Sequence, residues 1–308
     1  MDFRRDPVIK SFTMRLVYAM LLLTLAACGG KEPTESGLFG IVWSGAQAQF
    51  VGVGSGGMIR TSPDGISWTF QNSGTTESLL NIAWSGTQFT AVGNHGVILT
   101  SPDGVKWTMQ TSGTTSDLYG VAWSGSRFAT VGDAGVIFTS PTGTQWTPQT
   151  SGTAENLYGL ASSGTQFVAV GDDGVILTSP NAIAWTVQTS GITGPLGGII
   201  WSGTQFVAIG NNGAILTSPN GVAWTSQTSG VTNGLSGIAW SGTQFVTVGD
   251  TGTILTSPNA ITWTPQASGT SNSLFGVVWS DTQSQFVAVG WGNIILTSPD
   301  GVKWTQRS

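Results

Sequence analysis

Fourteen tryptophans recur along this chain like ticks of a clock. One set is Trp68, Trp107, Trp146, Trp185, Trp224, Trp263 and Trp304, spaced by 39 residues five times and by 41 once. A second is Trp43, Trp84, Trp123, Trp201, Trp240 and Trp279, with Ser162 standing where a seventh is due. Trp291 alone lies off both series. A fixed period of about 20–50 residues marks supersecondary units that bury a shared core by stacking on one another. Seven copies of one unit are therefore expected over residues 37–308.

Residues 157–190 show what the unit is. An alternating stretch, Leu157 to Ser162, is followed by a turn at Ser163-Gly164. Gln166 to Val170 and Val175 to Thr178 read as strands joined by Gly171-Asp172-Asp173-Gly174, a turn that accepts positive φ. A turn at Ser179-Pro180-Asn181-Ala182 leads to a fourth strand, Ala184 to Gln188. Four short antiparallel strands per copy, seven times over, predict an all-β, seven-bladed β-propeller. Alternation in the first strand puts Tyr119, Val121 and Trp123 on one face and Leu118, Gly120 and Ala122 on the other. Pro148 and Pro265 place the fourth strand on the outer rim, because proline cannot donate to a ladder. The chain starts blade 1 with a first strand and finishes blade 7 with a fourth. The ring is thus expected to close by packing, with no strand exchanged. Blades 1 and 7 alone carry a two-residue insertion in their first turn, at Ala46 to Gln49 and Thr282 to Gln285. A role for both insertions at the closing seam is expected.

Charged residues are only 8% of the chain, against about 25% in an average protein. Disorder is excluded by 30 aromatic residues and dense Val, Ile and Thr. The net charge of −5 and the scattered Lys and Arg leave no basic footprint for nucleic acid.

Residues 1–27 read as a signal peptide, with 1–13 as an upstream extension if Met14 is the start. The apolar run Leu16 to Ala27 is 12 residues long, too short for the roughly 20 that a spanning helix needs. It ends Leu25-Ala26-Ala27-Cys28, which resembles the bacterial lipobox. Cys28, the only cysteine, is therefore the expected lipid-attachment site, and residues 28–36 the lipidated N-terminus and linker. The alternative is an ordinary secreted protein with a free thiol. Gly29 in place of Asp points to the outer membrane of a bacterial envelope. From Cys28 onward the chain has six basic and thirteen acidic residues, a net charge of −7.

Strand alternation sends two sets of loops to opposite faces. The first-to-second and third-to-fourth turns share one, the turn face. The second-to-third hairpins and the inter-blade loops share the other, the hairpin face, and it varies most between copies. Its tips read Ser55-Gly56, Asn94-His95, Asp133-Ala134, Asp172-Asp173, Asn211-Asn212, Asp250-Thr251 and Trp291-Gly292. Near the start of the innermost strand it presents Phe39, Leu80, Tyr119, Tyr158, Gly197, Ser236 and Phe275. The candidate ligand face is Asn94, His95, Tyr119, Asp133, Tyr158, Asp172, Asp173, Asn211, Asn212, Asp250 and Trp291. Plain turn chemistry accounts for the same pattern. Trp291 either stacks on a partner or sugar, or covers the seam. Ser162 either opens a pocket or is closed over by its neighbours. His95 is the only histidine, so neither a histidine metal site nor a His-based triad is expected. Asp172-Asp173 reads as a solvated turn rather than a calcium site. No catalytic residue, cofactor or metal is assigned.

Ser-Pro-Asp-Gly-x-x-Trp recurs at Ser62–Trp68, Ser101–Trp107 and Ser298–Trp304, with Thr142, Asn181, Asn220 or Asn259 replacing Asp elsewhere. This resembles the Asp-box (BNR) motif of sialidase-type propellers, one residue shorter, and its tolerance of Asn and Thr reads as structural. Sialidase-type catalysis would need three convergent arginines. Only Arg60, Arg127 and Arg307 follow Cys28, in unrelated places. The chain is also similar to seven-bladed bacterial propellers of the photosystem-assembly-factor (Ycf48-like) type, which bind proteins. It lacks their arginine-rich patch, so the photosystem role does not carry over. The expected function is a monomeric, non-enzymatic, envelope-anchored binding or scaffold lipoprotein. Its expected partner is an envelope protein, and the alternatives are multivalent glycan binding and a sialidase-like or degenerate glycoside hydrolase.

Overall fold

The computed structural model describes residues 36–307. The expected signal peptide, Cys28, the linker up to residue 35 and Ser308 lie outside the described residues. Seven four-stranded antiparallel sheets follow one another, each made of four consecutive strands. Blade 1 runs Leu38–Ser44, Gln49–Gly54, Ile59–Ser62 and Thr69–Gln71. Blade 7 runs Leu274–Ser280, Gln285–Gly290, Ile295–Ser298 and Thr305–Arg307. The β-propeller is as expected, and among the described residues no strand is exchanged between its ends.

The tryptophan clock is the visible part of an aromatic sandwich. The second strand of every blade carries a phenylalanine (Phe50, Phe89, Phe128, Phe167, Phe206, Phe245 or Phe286) that is at most 2% exposed. In six blades the inner-strand tryptophan lies 4.1–4.6 Å from that ring. A tryptophan of the other series lies 6.3–6.5 Å from it in six blades. The indole N–H of that second tryptophan donates to the turn carbonyl three residues earlier in all seven blades, at 2.8–3.1 Å. A buried indole needs such a partner, which is why the position is Trp and not Phe. Blade 4 has Ser162 instead of the inner tryptophan, yet Phe167 stays 2% exposed, so its neighbours keep it covered.

Seven apolar clusters fill the seven blade interfaces. At the seam, Leu38, Phe50, Trp43 and Trp68 of blade 1 pack on Val287, Val289 and Ile295 of blade 7. The interface of blades 5 and 6 is built the same way, from Phe245, Trp240 and Trp263 on Val207, Ile209 and Ile215. The seam is therefore an ordinary interface. Burying each large side chain contributes about 1.5–3 kcal/mol.

A second repeated device runs round the turn face. In five blades the glutamine just before the second-strand phenylalanine donates to the carbonyl of the Asp, Asn or Thr in the next blade's turn. The distances are 2.7 Å for Gln49 to Asp103, 2.9 Å for Gln88 to Thr142 and 3.0 Å for Gln244 to Asp300. Gln285 to Asp64, at 2.7 Å, carries the same bond across the seam. In blade 3 Arg127 takes the glutamine's place and reaches the Asn181 carbonyl at 3.2 Å.

Two expectations are corrected. First, the inner strand does not alternate cleanly. Its register slips by one residue near its start in every blade, between Leu118 and Gly120 for example. One extra residue turns Leu118 onto the side of Val121, where both pack toward blade 2, while Ala122 packs toward blade 4. Tyr119 is the residue left in the bulge. Second, the insertions do not both serve the seam. Each first turn leans on the blade that follows, so the blade 1 insertion meets blade 2, where the Gln47 amide donates to the Pro102 carbonyl at 3.3 Å.

The seam is fastened on the hairpin face instead. The second left-handed residue of each tip is glycine in six blades. A Cβ there would lie 2.1–2.3 Å from a carbonyl of the outgoing inter-blade loop, such as Val231 O beside Gly213. Among the described residues blade 7 has no outgoing loop, and Asn293 occupies the position at φ 59°. Its amide donates to the Ser36 hydroxyl at 2.8 Å and its oxygen accepts from Arg60 at 3.1 Å. Arg60, where other blades have Leu or Phe, also lies 4.1 Å over the Phe70 ring. Asn293→Gly keeps the backbone but loses both bonds, and its expected cost is about 1–2 kcal/mol. Gly213→Asn puts the same side chain against Val231 O and is expected to cost about 3 kcal/mol or more. Equal losses in chemical denaturation would contradict this account of the seam.

Candidate functional site

The bulge decides what the hairpin face offers. A bulge re-aims the side chain it displaces. Here the extra residue of each inner strand is Phe39, Leu80, Tyr119, Tyr158, Gly197, Ser236 or Phe275, facing the mouth of the ring. The exposed tip residue varies most freely: His95, Ala134, Asp173, Asn212 and Thr251 all adopt φ 50–55° there. A backbone that tolerates five residue types at one strained position leaves its chemistry open to selection.

Blades 3 and 4 carry the most organised polar arrangement. The Tyr119 hydroxyl donates to Asp133 Oδ1 at 2.8 Å. The Tyr158 hydroxyl donates to Asp172 Oδ2 at 2.8 Å, and Asn156 Nδ2 donates to the same oxygen at 3.1 Å. Asn156 Oδ1 accepts the Ala134 N–H at 2.8 Å, which ties the two blades together. The tyrosine rings lie 5.1 Å apart. Asp172 is only 8% exposed, so the expected solvated turn is corrected: Asp172 is buried and bonded, and Asp173 alone faces solvent. Burial, with Asp133 and Asp172 beside the hydroxyls, pushes both tyrosine pKa values far up, so both remain donors. Burial, reinforced by Asp173 and Asp172, raises the Glu155 carboxyl as well.

Blade 2 places its tip over a carboxylate pair. His95 Nδ1 lies 2.8 Å from Glu77 Oε2, and the His95 N–H donates to Asp117 Oδ1 at 2.8 Å. The bond to Glu77 raises the imidazole pKa. An open groove of about 890 Å³ runs past His95, Met109 and Ser112. Asn94 anchors the same tip through its N–H to the Ser78 carbonyl at 2.9 Å. In blades 5 and 6, Asn212 is exposed and Asn211 partly so. Asp250 there has its pKa raised by burial, against hydrogen bonds from Gly234 and Ser273. At the seam Trp291 stacks on Phe39 at 6.0 Å and meets Phe275 edge-on at 6.4 Å. Its backbone pairs with Gly37. Of the two roles expected for Trp291, these contacts favour the seam.

The face thus divides into an aromatic arc at blades 7 and 1, an acidic arc at blades 2–4, and small residues at blades 5 and 6. Glu77, Asp117, Glu155 and Asn156 belong to this arrangement and are absent from the expected set. Asp117 and Asn156 share a repeat position with Ser78, Pro195, Gly234 and Ser273 at the end of the inter-blade loop. Their divergence there was the available signal. Among the described residues no three His, Cys, Asp or Glu stand close enough together to hold a metal ion.

The acidic residues of the turn face do something else. Asp64 Oδ1 accepts the N–H groups of Ile66 and Ser67, both at 2.8 Å. Asp103 and Asp300 do the same in their blades. Asn181 reproduces the pattern with its amide oxygen, at 2.9 and 3.2 Å. The shared element is one oxygen accepting two backbone donors, a structural task. Nor do the arginines converge: Arg60 is at the seam, Arg127 on the blade 4 turn, and Arg307 donates to Thr297 in the outer edge of blade 7 at 2.8 Å.

Those backbone hydrogen bonds hold the Asp64, Asp103 and Asp300 carboxyls below the usual carboxylate range. A depressed folded pKa adds stability above the unfolded pKa, about 3.9, and that stability is lost as pH falls through the folded value. The triple variant Asp64→Asn, Asp103→Asn, Asp300→Asn should therefore lose less melting temperature than the parent below about pH 4. Parallel pH profiles would contradict it.

No protein-family model and no curated protein matches the sequence. Among solved structures, YCF48 from Cyanidioschyzon merolae aligns with a TM-score of 0.69 and 18% identity, covering 87% of this chain and 96% of the other. YCF48 bound to D1 peptide aligns with a TM-score of 0.69 and 17% identity, covering 88% of this chain and 93% of the other. At this identity the likeness concerns the fold: a seven-bladed β-propeller.

Proposed function

We propose that the protein is a non-enzymatic binding or scaffold lipoprotein of a bacterial envelope. Its anchor is an acylated Cys28, and it binds another protein through its hairpin face. The observation that carries this reading is how the chain distributes its individuality. Six of the seven turns on the turn face share one aliphatic and one aromatic position, and their acidic groups are committed to backbone donors. The hairpin face differs in every blade and holds a rigid Tyr–Asp–Asn arrangement beside exposed His95 and Asp173. A similar propeller is described as bound to a D1 peptide, which supports a peptide or protein as the ligand. Catalysis would need one asymmetric set of reacting groups. Here the buried carboxylate, Asp172, is engaged by Tyr158 and Asn156, Arg60 and Arg127 are spent on fastening blades, and Arg307 bonds within blade 7. The alternative of multivalent glycan binding would use near-identical blades, and the residues of the hairpin face differ from blade to blade, which supports the protein reading.

The acidic arc makes binding sensitive to charge and to salt. The full chain, used to capture partners from detergent-solubilised envelopes, should lose about tenfold of its capture when Glu77→Gln, Asp133→Asn and Asp173→Asn are combined. Lys106→Gln on the turn face should leave capture unchanged. Loss through Lys106→Gln alone, or turnover of an aryl glycoside or sialoside, would overturn the proposal.

A further inference from the structure

The outer rim of blade 2 carries an open strand edge with a groove beside it. The third strand of this blade, Ile98–Ser101, pairs with the fourth, Thr108–Gln110. Among the described residues no strand pairs with the far side of the fourth. In the ladder Met109 stands opposite Leu99. The equivalent residue is Pro148 in blade 3, opposite Phe138, and Pro265 in blade 6, opposite Leu255. Within a sheet proline is tolerated where its missing N–H would face away from the ladder. The position therefore directs its N–H and C=O outward, as every second residue of an edge strand does. Proline removes the donor in blades 3 and 6. Met109 keeps both groups, and they can pair with an added strand.

The groove of about 890 Å³ is lined by Met109, Gln110 and Thr111 from this edge and by His95 and Val97 from the hairpin tip. The Met109 side chain is 54% exposed, and a flexible thioether adapts to apolar side chains of differing shape. The hairpin end of the groove is acidic. Glu77 Oε2 lies 2.8 Å from the His95 ring, and Asp117 Oδ1 accepts the His95 N–H at 2.8 Å. Even with His95 protonated, these three groups remain net negative. Lys106 belongs to the turn face, beyond the far end of this strand. Backbone pairing along Met109, an apolar contact there and negative charge at one end together describe an extended, partly basic peptide.

We propose that blade 2 binds an extended segment of the partner protein by strand addition, with an apolar side chain on Met109 and a Lys or Arg beside Glu77 and Asp117. This rests on the protein-binding reading above, and adds the subsite, the conformation of the bound segment and its chemistry. The test uses random dodecapeptides displayed on phage, selected on the immobilised full chain. Enriched peptides are synthesised with a fluorescein label and titrated by anisotropy. They should combine an alternating run around an apolar residue with Lys or Arg. Met109→Pro makes blade 2 read Thr-Pro-Gln, as blades 3 and 6 already do, so the fold tolerates it. It should raise the peptide Kd at least about tenfold, because it removes the edge donor. Glu77→Gln should raise it about threefold. Val187→Pro, at the same position of blade 4, should leave it unchanged. N-methylation scanned along the peptide backbone should abolish binding at alternate residues, which marks a paired strand. Failure of any peptide to enrich, an acidic consensus, or equal binding by the Met109→Pro and parent chains overturns the proposal. An equal loss with Val187→Pro overturns the assignment to blade 2. Envelope capture that falls with the triple acidic variant yet survives Met109→Pro overturns strand addition and leaves the hairpin-face reading standing.

Discussion

Everything in this structure depends on one packing event repeated seven times. The phenylalanine of the second strand is pressed against the tryptophans of its own blade, a pair except in blade 4, and the aliphatic residues of the blade before it. A four-stranded blade has two apolar faces and cannot cover either alone. Stacking covers both, and a closed ring leaves no end uncovered. Because the seam uses the same contacts as every other interface, closure needs no exchanged strand, and the ring resists opening only as strongly as its side chains hold. The additions found at the seam fit that need. Asn293 ties Ser36 to Arg60, and Gln285 adds an inter-blade hydrogen bond on the opposite face.

The division between the two faces follows from how the interfaces are made. Six of the seven turns on the turn face receive the glutamine, or Arg127, of the preceding blade, and all seven seat an indole N–H on a carbonyl. Both tasks constrain the loop, which explains why Asp, Asn and Thr interchange there while the surrounding residues hardly vary. Hairpin tips carry a lighter burden. Past the glycine that clears the outgoing loop, the exposed tip residue is free of core packing, with room for surface bonds such as His95 to Glu77 and Asn233 to Thr251, and the bulge displaces a residue of the inner strand nearby. Variation accumulates where packing does not forbid it, and it is there that Tyr119, Tyr158, Asp133, Asp172 and Asn156 are joined.

The periodicity made the blade count, the strand order and the identity of the two faces legible in the sequence, because period and turn chemistry are local. What escaped was set by contacts between blades or by one-residue irregularities. The inner-strand bulge leaves no mark in a pattern that still looks alternating, and it moved Tyr119 and Leu118 to faces other than those expected. Burial of Asp172 depends on Asn156, sixteen residues away, and on Tyr158 across the bulge, so a Gly-Asp-Asp-Gly turn read alone looks solvated. Arg60 and Arg127 looked like strays because their partners lie 233 and 54 residues away. The repeated glutamine before phenylalanine was in plain view, yet its purpose appears only when the next blade is in place.

The central claim, that the hairpin face is the working surface and the turn face the frame, can be tested through the protein's own carboxylates. Carbodiimide-driven amidation can be compared by mass spectrometry between intact cells and the purified chain. An occupied hairpin face should protect Glu77, Asp133 and Asp173 in cells and leave Asp64, Asp103 and Asp300 labelled to the same extent in both. Protection of the turn-face aspartates, or identical labelling of every carboxylate in the two settings, would contradict the account.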